Sequence, residues 1–293
     1  SFDAFTTLTQ IATATERIKL GTNIANIYAR TPAMLAGTAA SLDQLSGGRF
    51  ILGIGVSGPQ VIEGWHGVPY DRPIRRTRET IDIVRKVLAG DKLVYDGEIF
   101  SLTQGLRLLN KPLRPDMPIY VASLGPRNVE LTAELADGWL PAFFHPDKAK
   151  DVWGDSLAKG TAKRSADLGP LEISAGGMVA IGEDVKGLLD FARPMYALYV
   201  GGMGARGKNF YNDLFARYGY EAEAKKIQDL YLDGLKRDAA AAVPDAFVDE
   251  VALVGPKERL AERLDAWRES GATSLLVSTQ QVEALQTLAE IAL

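Results

Sequence analysis

The sequence predicts an α/β fold, specifically a (β/α)8 TIM barrel from which the first two strands are missing. Short apolar segments alternate with helical segments along the chain, which is typical of an α/β fold. Most of the short segments are apolar on both faces, as expected for parallel strands covered by helices on both sides. The chain has 293 residues, and a complete barrel of this type needs roughly 250. We therefore predict a single domain over residues 1–293.

Parallel strands are predicted in six segments. Each is a short apolar run bounded by turn signals, and they are residues 18–24, 50–56, 118–124, 138–144, part of 171–181, and 273–279. A barrel has two strands more, and this chain opens on a predicted helix at residues 4–15. We interpret the sequence as starting in the second helix of the barrel. An open, doubly wound sheet of six strands is the alternative.

The segments between the strands predict helices, with two departures from the rhythm. The first helix is expected to bury Phe5, Leu8 and Ile11 on one face. A helix over residues 76–88 is also expected. Residues 93–102 centre on an Asp-Gly pair and predict a β-hairpin. Residues 201–236 predict an inserted helical segment, and barrel enzymes often place substrate contacts in such insertions.

Composition excludes several classes of function. The formal charge is −4 from 33 basic and 37 acidic residues, and these are mixed along the chain, so nucleic-acid binding is not expected. The sequence has no cysteine, and its two histidines, His66 and His145, lie far apart, so no metal site is expected. No apolar run reaches the roughly 20 residues of a membrane span. The first residues lack the basic start and apolar stretch of a signal peptide, so a cytoplasmic location is expected.

Two glycines at a strand end are candidates for a binding role. Gly53 and Gly55 fall where the strand at residues 50–56 ends, and in a barrel that end carries the active site. Glycine there would let a flat ring approach the backbone; alternatively, it only lets the chain turn. With Gly58 the pair partly mimics a dinucleotide motif, but Pro59 follows at once and the later acidic residue is missing.

The loop Ser-Leu-Gly-Pro-Arg-Asn at residues 123–128 is a candidate phosphate site. It follows a predicted strand and opens a helix, where free backbone N–H groups and the helix dipole favour an anion. Arg127 could add a charge-assisted contact. The alternative is a short βα loop with proline in the first helical turn.

Several blocks of sequence, in this order and spacing, resemble the luciferase-like flavin-dependent oxidoreductases. They are Lys-Leu-Gly-Thr-Asn-Ile at 19–24, Arg-Thr-Pro-Ala at 30–33, Leu-Asp-Gln-Leu-Ser-Gly-Gly-Arg-Phe at 42–50 and Leu-Gly-Ile-Gly at 52–55. Residues 56–67 resemble a subgroup assigned to coenzyme F420, and the resemblance resumes at residues 122–128, 136–139, 201–207 and 254–256. It covers nearly the whole chain.

This resemblance implies a barrel of the luciferase-like type, a homodimer, and F420 bound at the carboxyl ends of the strands. It also implies a non-prolyl cis peptide at Asn23-Ile24. The implied cofactor contacts are Thr22, Asn23, Ile24, Gly53, Gly55, Ser57, Ser123, Leu124, Gly125, Pro126 and Arg127. The residue after Gly55 is a glutamate in the family's sugar-phosphate dehydrogenases, but here it is Val56, so that proton-transfer role does not carry over.

Substrate-side candidates come from the loop after the 50–56 strand and from the insertion. His66 could act as an acid or base because an imidazole titrates near neutral pH, although a surface or packing role is commoner for a histidine. The candidate substrate contacts are Trp65, Tyr70, Arg206 and Tyr211, with Tyr218 as a further candidate.

We predict hydride transfer between coenzyme F420 and an organic small molecule, with the protein positioning the cofactor. The alternative enzyme is an FMN-dependent monooxygenase that works with a separate flavin reductase. A non-catalytic flavin-binding barrel protein is the alternative from another class.

Overall fold

The structure is a computed structural model and describes residues 3–292. Its backbone groups into two compact units. Unit 1 comprises the residues up to Ser123 together with Arg127–Leu140 and Ser156–Leu171. Unit 2 comprises Leu124–Pro126, Pro141–Asp155 and the residues from Glu172 onward. Among the helices of residues 3–292, none has both the length and the apolar character that crossing a bilayer requires.

Helices and strands alternate along most of the described chain. The helices are α1 (Ala4–Ala14), α2 (Pro32–Leu45), α3 (Pro59–Gly64), α4 (Pro73–Leu88), α5 (Pro126–Leu135), α6 (Ala149–Thr161), α7 (Val185–Ala197), α8 (Phe210–Arg217), α9 (Glu221–Leu232), α10 (Lys236–Ala241), α11 (Asp245–Glu250), α12 (Lys257–Glu269) and α13 (Val282–Ala292). A π-helical segment, Leu198–Gly202, continues α7. The strands are β1 (Leu20–Gly21), β2 (Ala25–Asn26), β3 (Phe50–Gly55), β4 (Leu93–Asp96), β5 (Ser101–Leu106), β6 (Ile119–Ala122), β7 (Gly138–Trp139), β8 (Glu172–Ile181), β9 (Leu253–Gly255) and β10 (Ser274–Ser278).

Unit 1 is organised around the parallel strand β3. The short strands β1 and β2 both pair with it in parallel, and β6 pairs with it in parallel and then with β7. The side chains of Phe50, Leu52 and Ile54 are fully buried, because helices and neighbouring strands cover this strand. Helix α2 begins with Thr31 as its cap, whose side chain accepts a hydrogen bond from the Met34 N–H, followed by Pro32 at the first helical position.

A hairpin in unit 1 is anchored by a buried carboxylate. Strands β4 and β5 pair antiparallel, with Asp96 opposite Ser101, which confirms the predicted hairpin. Glu79 of α4 accepts hydrogen bonds from the N–H groups of Glu98, Ile99 and Phe100 at 2.8, 3.0 and 3.0 Å. Three charge-assisted bonds to one buried carboxylate fix the conformation of the turn.

Unit 2 contains the long strand β8 with two parallel partners. Strand β10 pairs with its first half, from Ser174 to Met178, and β9 pairs with its second half, from Val179 to Ile181. The helices α7 to α11 lie between β8 and β9 in the chain. Helices occupy most of the range 201–236 that was predicted as an insertion, and further helices lie directly before and after it.

Four of the six predicted parallel strands are present within a few residues of the expected bounds, as β3, β6, β8 and β10. In place of the strand predicted at residues 18–24 the structure has the two short strands β1 and β2, and the strand predicted at 138–144 is only the two-residue β7. Sequence patterning missed β9, which is only three residues long. Helix α4 starts at Pro73, one turn before the predicted residue 76, because a proline is well suited to a first helical turn. The prediction that Ile11 is buried is wrong: its side chain is 36% exposed, and Ala12, at 3%, continues the face begun by Phe5.

Candidate active site

The carboxyl ends of the strands in unit 1 lie level with one another. Asn26 pairs with Gly55, and Gly55 pairs with Ala122, so β2, β3 and β6 end at the same height. The loop that starts at Ser123 therefore begins beside the end of β3. Carboxyl ends of adjacent parallel strands are where α/β folds of this kind place their binding sites.

Thr22 and Gly53 form a closed contact behind this edge. The Thr22 hydroxyl donates to the Gly53 carbonyl at 2.7 Å and accepts from the Gly53 N–H at 2.9 Å. A Cβ added at Gly53 would overlap the carbonyl oxygen of Thr22. Glycine is thus required at this position so that β3 can approach residue 22, and the buried Thr22 hydroxyl is fully engaged in holding the two segments together.

Gly55 makes room for the side chain of Ile24. A Cβ at Gly55 would lie 2.9 Å from Ile24 Cδ1 and 3.4 Å from Ala122 Cβ. The bond between Asn23 and Ile24 is cis, which confirms the peptide predicted from the resemblance. Asn23 is exposed and Ile24 is partly exposed, whereas Thr22 is buried. Both glycines therefore serve close packing within the protein, and Asn23 and Ile24 present the accessible surface.

The loop between β6 and α5 has a buried first residue. The Ser123 hydroxyl lies 2.8 Å from the Thr132 hydroxyl, which itself donates to the Asn128 carbonyl at 2.7 Å. Since the Thr132 proton is used in that second bond, Ser123 is the donor in the first. Its side chain thus ties the strand end to the first turns of α5, and a phosphate would have to use other groups of this loop.

Those other groups are Gly125, Arg127 and the amino end of α5. A Cβ at Gly125 would meet no heavy atom within 4 Å, so the backbone there is open to one side. Pro126 begins α5, and the first N–H groups of a helix lack carbonyl partners within it. No carboxylate among residues 3–292 lies within ion-pair distance of the exposed Arg127 guanidinium; the Glu130 carboxylate, which is paired with Lys163, interacts with its charge from further away. These features match an anion-binding helix terminus.

The remaining candidates of unit 1 lie in the segment after β3. Ser57 has a positive φ of 57° and is partly exposed; it lies two residues before the short helix α3. Trp65 is 83% exposed and His66 is also exposed. Tyr70 is only partly exposed and stacks on Tyr28, with ring centroids 5.3 Å apart. Their roles at a substrate stay predictions.

In unit 2, Tyr211 belongs to an aromatic cluster that the sequence pattern did not predict. Phe143 contacts Tyr196, Tyr199 and Tyr211 at centroid distances of 5.2, 5.1 and 5.6 Å. The rings of Tyr199 and Tyr211 are 4.8 Å apart and nearly perpendicular. Of these residues Tyr196 is buried, and Phe143, Tyr199 and Tyr211 are partly exposed. Arg206 lies outside this cluster, where it is exposed and paired with Asp229 at 2.8 Å.

Tyr218 and His145 form a second, buried polar cluster in unit 2. The Tyr218 hydroxyl donates to the Phe143 carbonyl at 2.9 Å and accepts from the His145 N–H at 3.3 Å. His145 Nε2 lies 2.9 Å from a carboxylate oxygen of Glu250, which also accepts a bond from the Tyr220 hydroxyl at 2.8 Å. Burial lowers the pKa of His145, and the Glu250 carboxylate only partly offsets this. Since the Tyr218 hydroxyl is fully engaged, it is a structural group here.

Comparison with known families defines the class of protein. The family model described as luciferase-like monooxygenase matches residues 1–274. The chain therefore belongs to the luciferase-like monooxygenase family and is an oxidoreductase of that kind.

Three proteins similar to this chain are described by their names as dependent on coenzyme F420. A protein of Mycobacterium tuberculosis, provisionally named a coenzyme F420-dependent oxidoreductase, is 39% identical over 99% of this chain and 87% of its own length. The F420-dependent tetrahydromethanopterin reductase of Methanopyrus kandleri has a TM-score of 0.82 at 22% identity, over 99% of this chain and 87% of its own. An F420-dependent secondary alcohol dehydrogenase, whose structure was solved with an F420–acetone adduct, has a TM-score of 0.76 at 18% identity. The match covers 99% of this chain and 83% of the dehydrogenase. These similarities confirm the α/β TIM-barrel fold class of the luciferase-like type.

Proposed function

We propose that this protein is a coenzyme F420-dependent oxidoreductase that transfers a hydride between the deazaflavin and an organic small molecule. The bound deazaflavin would supply the hydride chemistry. The observation that carries the proposal is the unpaired, exposed Arg127 at the amino end of α5, on a loop that starts level with the end of β3. The relative from M. tuberculosis supports the choice of cofactor.

The ring side of the proposed site fits a flat, largely apolar group. Asn23 and Ile24 present accessible surface at the strand ends, while the Thr22–Gly53 contact closes the space behind them. Because Thr22 has no free hydroxyl proton, its part is to fix residues 23 and 24 in place. Positioning of this kind lowers the entropy that a reacting pair must lose.

The other side of the proposed site fits the phosphate group of the cofactor. Gly125 leaves the loop backbone uncovered, the first N–H groups of α5 point out of the helix, and Arg127 supplies a positive charge. Ser123 supports the loop from behind through Thr132. In this proposal Leu124 and Pro126 contribute backbone and apolar contacts, and Ser57 lies at the neighbouring strand end.

The decisive experiment compares two ligands on two variants. Arg127→Gln should raise the dissociation constant for F420 about tenfold, since a charge-assisted hydrogen bond contributes about 1.5 kcal/mol or more. The deazaflavin nucleoside that lacks the phosphate should bind this variant as tightly as it binds the wild type. Quenching of deazaflavin fluorescence measures both constants.

Arg107→Gln is the matched control, because Arg107 is also exposed and its replacement removes the same charge. Its affinity for F420 should equal that of the wild type. A preference for FMN over F420 would contradict the proposal and favour the two-component monooxygenase. Absence of binding by either cofactor would contradict both enzyme functions. The homodimer and the cytoplasmic location stay predictions.

A further inference from the structure

The aromatic cluster of unit 2 depends on two uncommon backbone conformations. Phe143 has a positive φ of 51°, which a bulky residue rarely adopts. Tyr199 lies in the π-helical segment Leu198–Gly202, and such segments are rare and frequent at functional sites. Phe143 and Tyr199 are 56 residues apart in sequence, yet their rings are in edge contact at 5.1 Å. Two independent departures from regular backbone thus meet at one cluster.

Buried side chains hold both conformations in place. The Tyr218 hydroxyl donates to the Phe143 carbonyl at 2.9 Å. The Asn209 side-chain amide donates to the carbonyls of Tyr199 and Val200 at 2.9 and 3.0 Å, and Asn209 is 1% exposed. Backbone conformations that cost energy persist only where their surroundings enforce them, and they concentrate at ligand sites.

The phenol groups of the cluster are available for recognition. The structure gives the hydroxyls of Tyr199 and Tyr211 no hydrogen-bond partner among residues 3–292, although both residues are partly buried. Burial raises the pKa of Tyr211 to about 12, with a smaller contribution from nearby Tyr199, so this phenol is a proton donor throughout the physiological range. Neither hydroxyl is a buried atom, so both can exchange a bond to water for a bond to a ligand. Phe143, Tyr199 and Tyr211 therefore combine apolar faces with donors that no group among residues 3–292 uses.

We infer that Phe143, Tyr199 and Tyr211 form the recognition site for the organic substrate, and that this substrate is flat and unsaturated and carries a hydrogen-bond acceptor such as a carbonyl oxygen. The flat part packs on the aromatic rings, and the phenol hydroxyls donate to the acceptor. As a substrate site, the cluster rests on the proposed oxidoreductase function. Binding itself needs no cofactor, so the two proposals fail in distinguishable ways.

Ligand-detected fluorine NMR with two related fluorobenzene probes tests the site. The probes are 4-fluoroacetophenone, which has a carbonyl, and 1-ethyl-4-fluorobenzene, which has none. The ketone should bind the wild type with a dissociation constant of about 1–10 mM, as expected for a ligand of about ten non-hydrogen atoms. Tyr211→Phe and Tyr199→Phe should each weaken ketone binding about fivefold, the effect of one lost hydrogen bond.

The same substitutions should leave the dissociation constant of 1-ethyl-4-fluorobenzene within about twofold of the wild-type value, since no hydrogen bond is lost. Phe143→Leu should weaken the binding of both probes. Tyr95→Phe, which removes a hydroxyl that donates to Asp82 in unit 1, is the control and should change neither. Failure of the ketone to bind the wild type, or equal weakening of both probes by Tyr211→Phe, would overturn the inference. Ketone binding as described without cofactor binding would instead contradict the proposed function and leave this recognition site standing.

Discussion

The strand end around Gly53 in unit 1 and the aromatic cluster around Phe143 in unit 2 are shaped in different ways. At the strand end, the absence of a side chain matters: Gly53 lets β3 reach the Thr22 carbonyl, and Gly55 leaves room for Ile24. In the cluster, side chains provide the shape, and buried amide and phenol groups from Asn209 and Tyr218 hold an irregular backbone beneath them. The strand end has no room for an added side-chain atom at Gly53 or Gly55, whereas the aromatic cluster depends on specific hydrogen bonds.

This difference predicts that the two regions respond to different substitutions. The strand end should be sensitive to volume, because its backbone contacts cannot move apart without breaking the pairing of β1 and β3. The aromatic cluster should be sensitive to the loss of donors. A substitution of each kind, with a matched control, tests whether the distinction holds.

Gly53→Ala should have the largest effect. A Cβ there overlaps backbone, which cannot rotate away, so we expect a loss of at least about 3 kcal/mol in the free energy of unfolding. Urea denaturation followed by circular dichroism measures it. Gly125→Ala is the control, because its Cβ would meet open space and its φ is not positive; stability should change by less than about 0.5 kcal/mol. Equal stabilities of the two variants would contradict the close contact at Gly53.

Asn209→Asp should have an intermediate effect. The carboxylate can still accept from the N–H groups of Tyr211 and Asn212, as the amide oxygen does at 3.0 and 3.3 Å. It cannot donate to the carbonyls of Tyr199 and Val200, so we expect a loss of about 2 kcal/mol.

Asp184→Asn is the control for that substitution. Asp184 caps α7 by accepting from the Gly187 N–H, and aspartate and asparagine are about equal as caps, so its unfolding curve in urea should coincide with that of the wild type. If Asn209→Asp also left the unfolding curve in urea unchanged, the amide donors of Asn209 would not hold the π-helical segment.

His145→Gln should have the smallest effect, and one that depends on pH. The pKa of His145 is lowered by burial, so the unfolded chain binds a proton below about pH 6.5 that the folded protein resists binding. The stability of the wild type should therefore fall as pH drops from about 6.5 toward the folded pKa. The groups facing the imidazole are Glu250, Asp147, Lys148 and Tyr218.

The glutamine variant keeps a donor for Glu250 but cannot titrate, so its stability should be flatter between about pH 5 and 7. Thermal unfolding across this range measures the difference. The sequence has one other histidine, His66, which is exposed, and His66→Gln should retain the pH dependence of the wild type. If His66→Gln removed the dependence and His145→Gln did not, the buried pair would not be its source.

The features that sequence patterning predicted are those that arise from neighbouring residues. Apolar runs predicted most of the parallel strands, and an Asp-Gly pair predicted the hairpin. Both rest on patterns within about ten residues. The error at Ile11 is of the same kind, because periodicity alone does not say which of two adjacent apolar positions faces the core. The cis peptide at Asn23-Ile24 was predicted differently, from the family resemblance that extends over nearly the whole chain.

The aromatic cluster could not be predicted because its parts are distant in the chain. Phe143, Tyr199 and Tyr211 come from a loop, a π-helical segment and the start of α8, and a π-helical segment has no sequence signature of its own. Tyr211 was predicted as a substrate contact from its position in the insertion, but Phe143 and Tyr199 were not identified. Likewise, Ser123 was expected at the phosphate, and only the structure shows that Thr132, nine residues later, takes its hydroxyl.

The contacts that hold the backbone of the π-helical segment around Tyr199 do not involve the aromatic rings of the cluster. Asn209 and Asn212 bind the carbonyls of the π-helical segment, and Gly201 and Gly202 pack so closely on Tyr231 that a Cβ at Gly201 would lie 2.5 Å from it. None of these contacts uses the side chain at 199 or 211. Evolution can therefore exchange either ring for another side chain while the segment keeps its course, so that new substrate preferences arise by single substitutions on an unchanged scaffold.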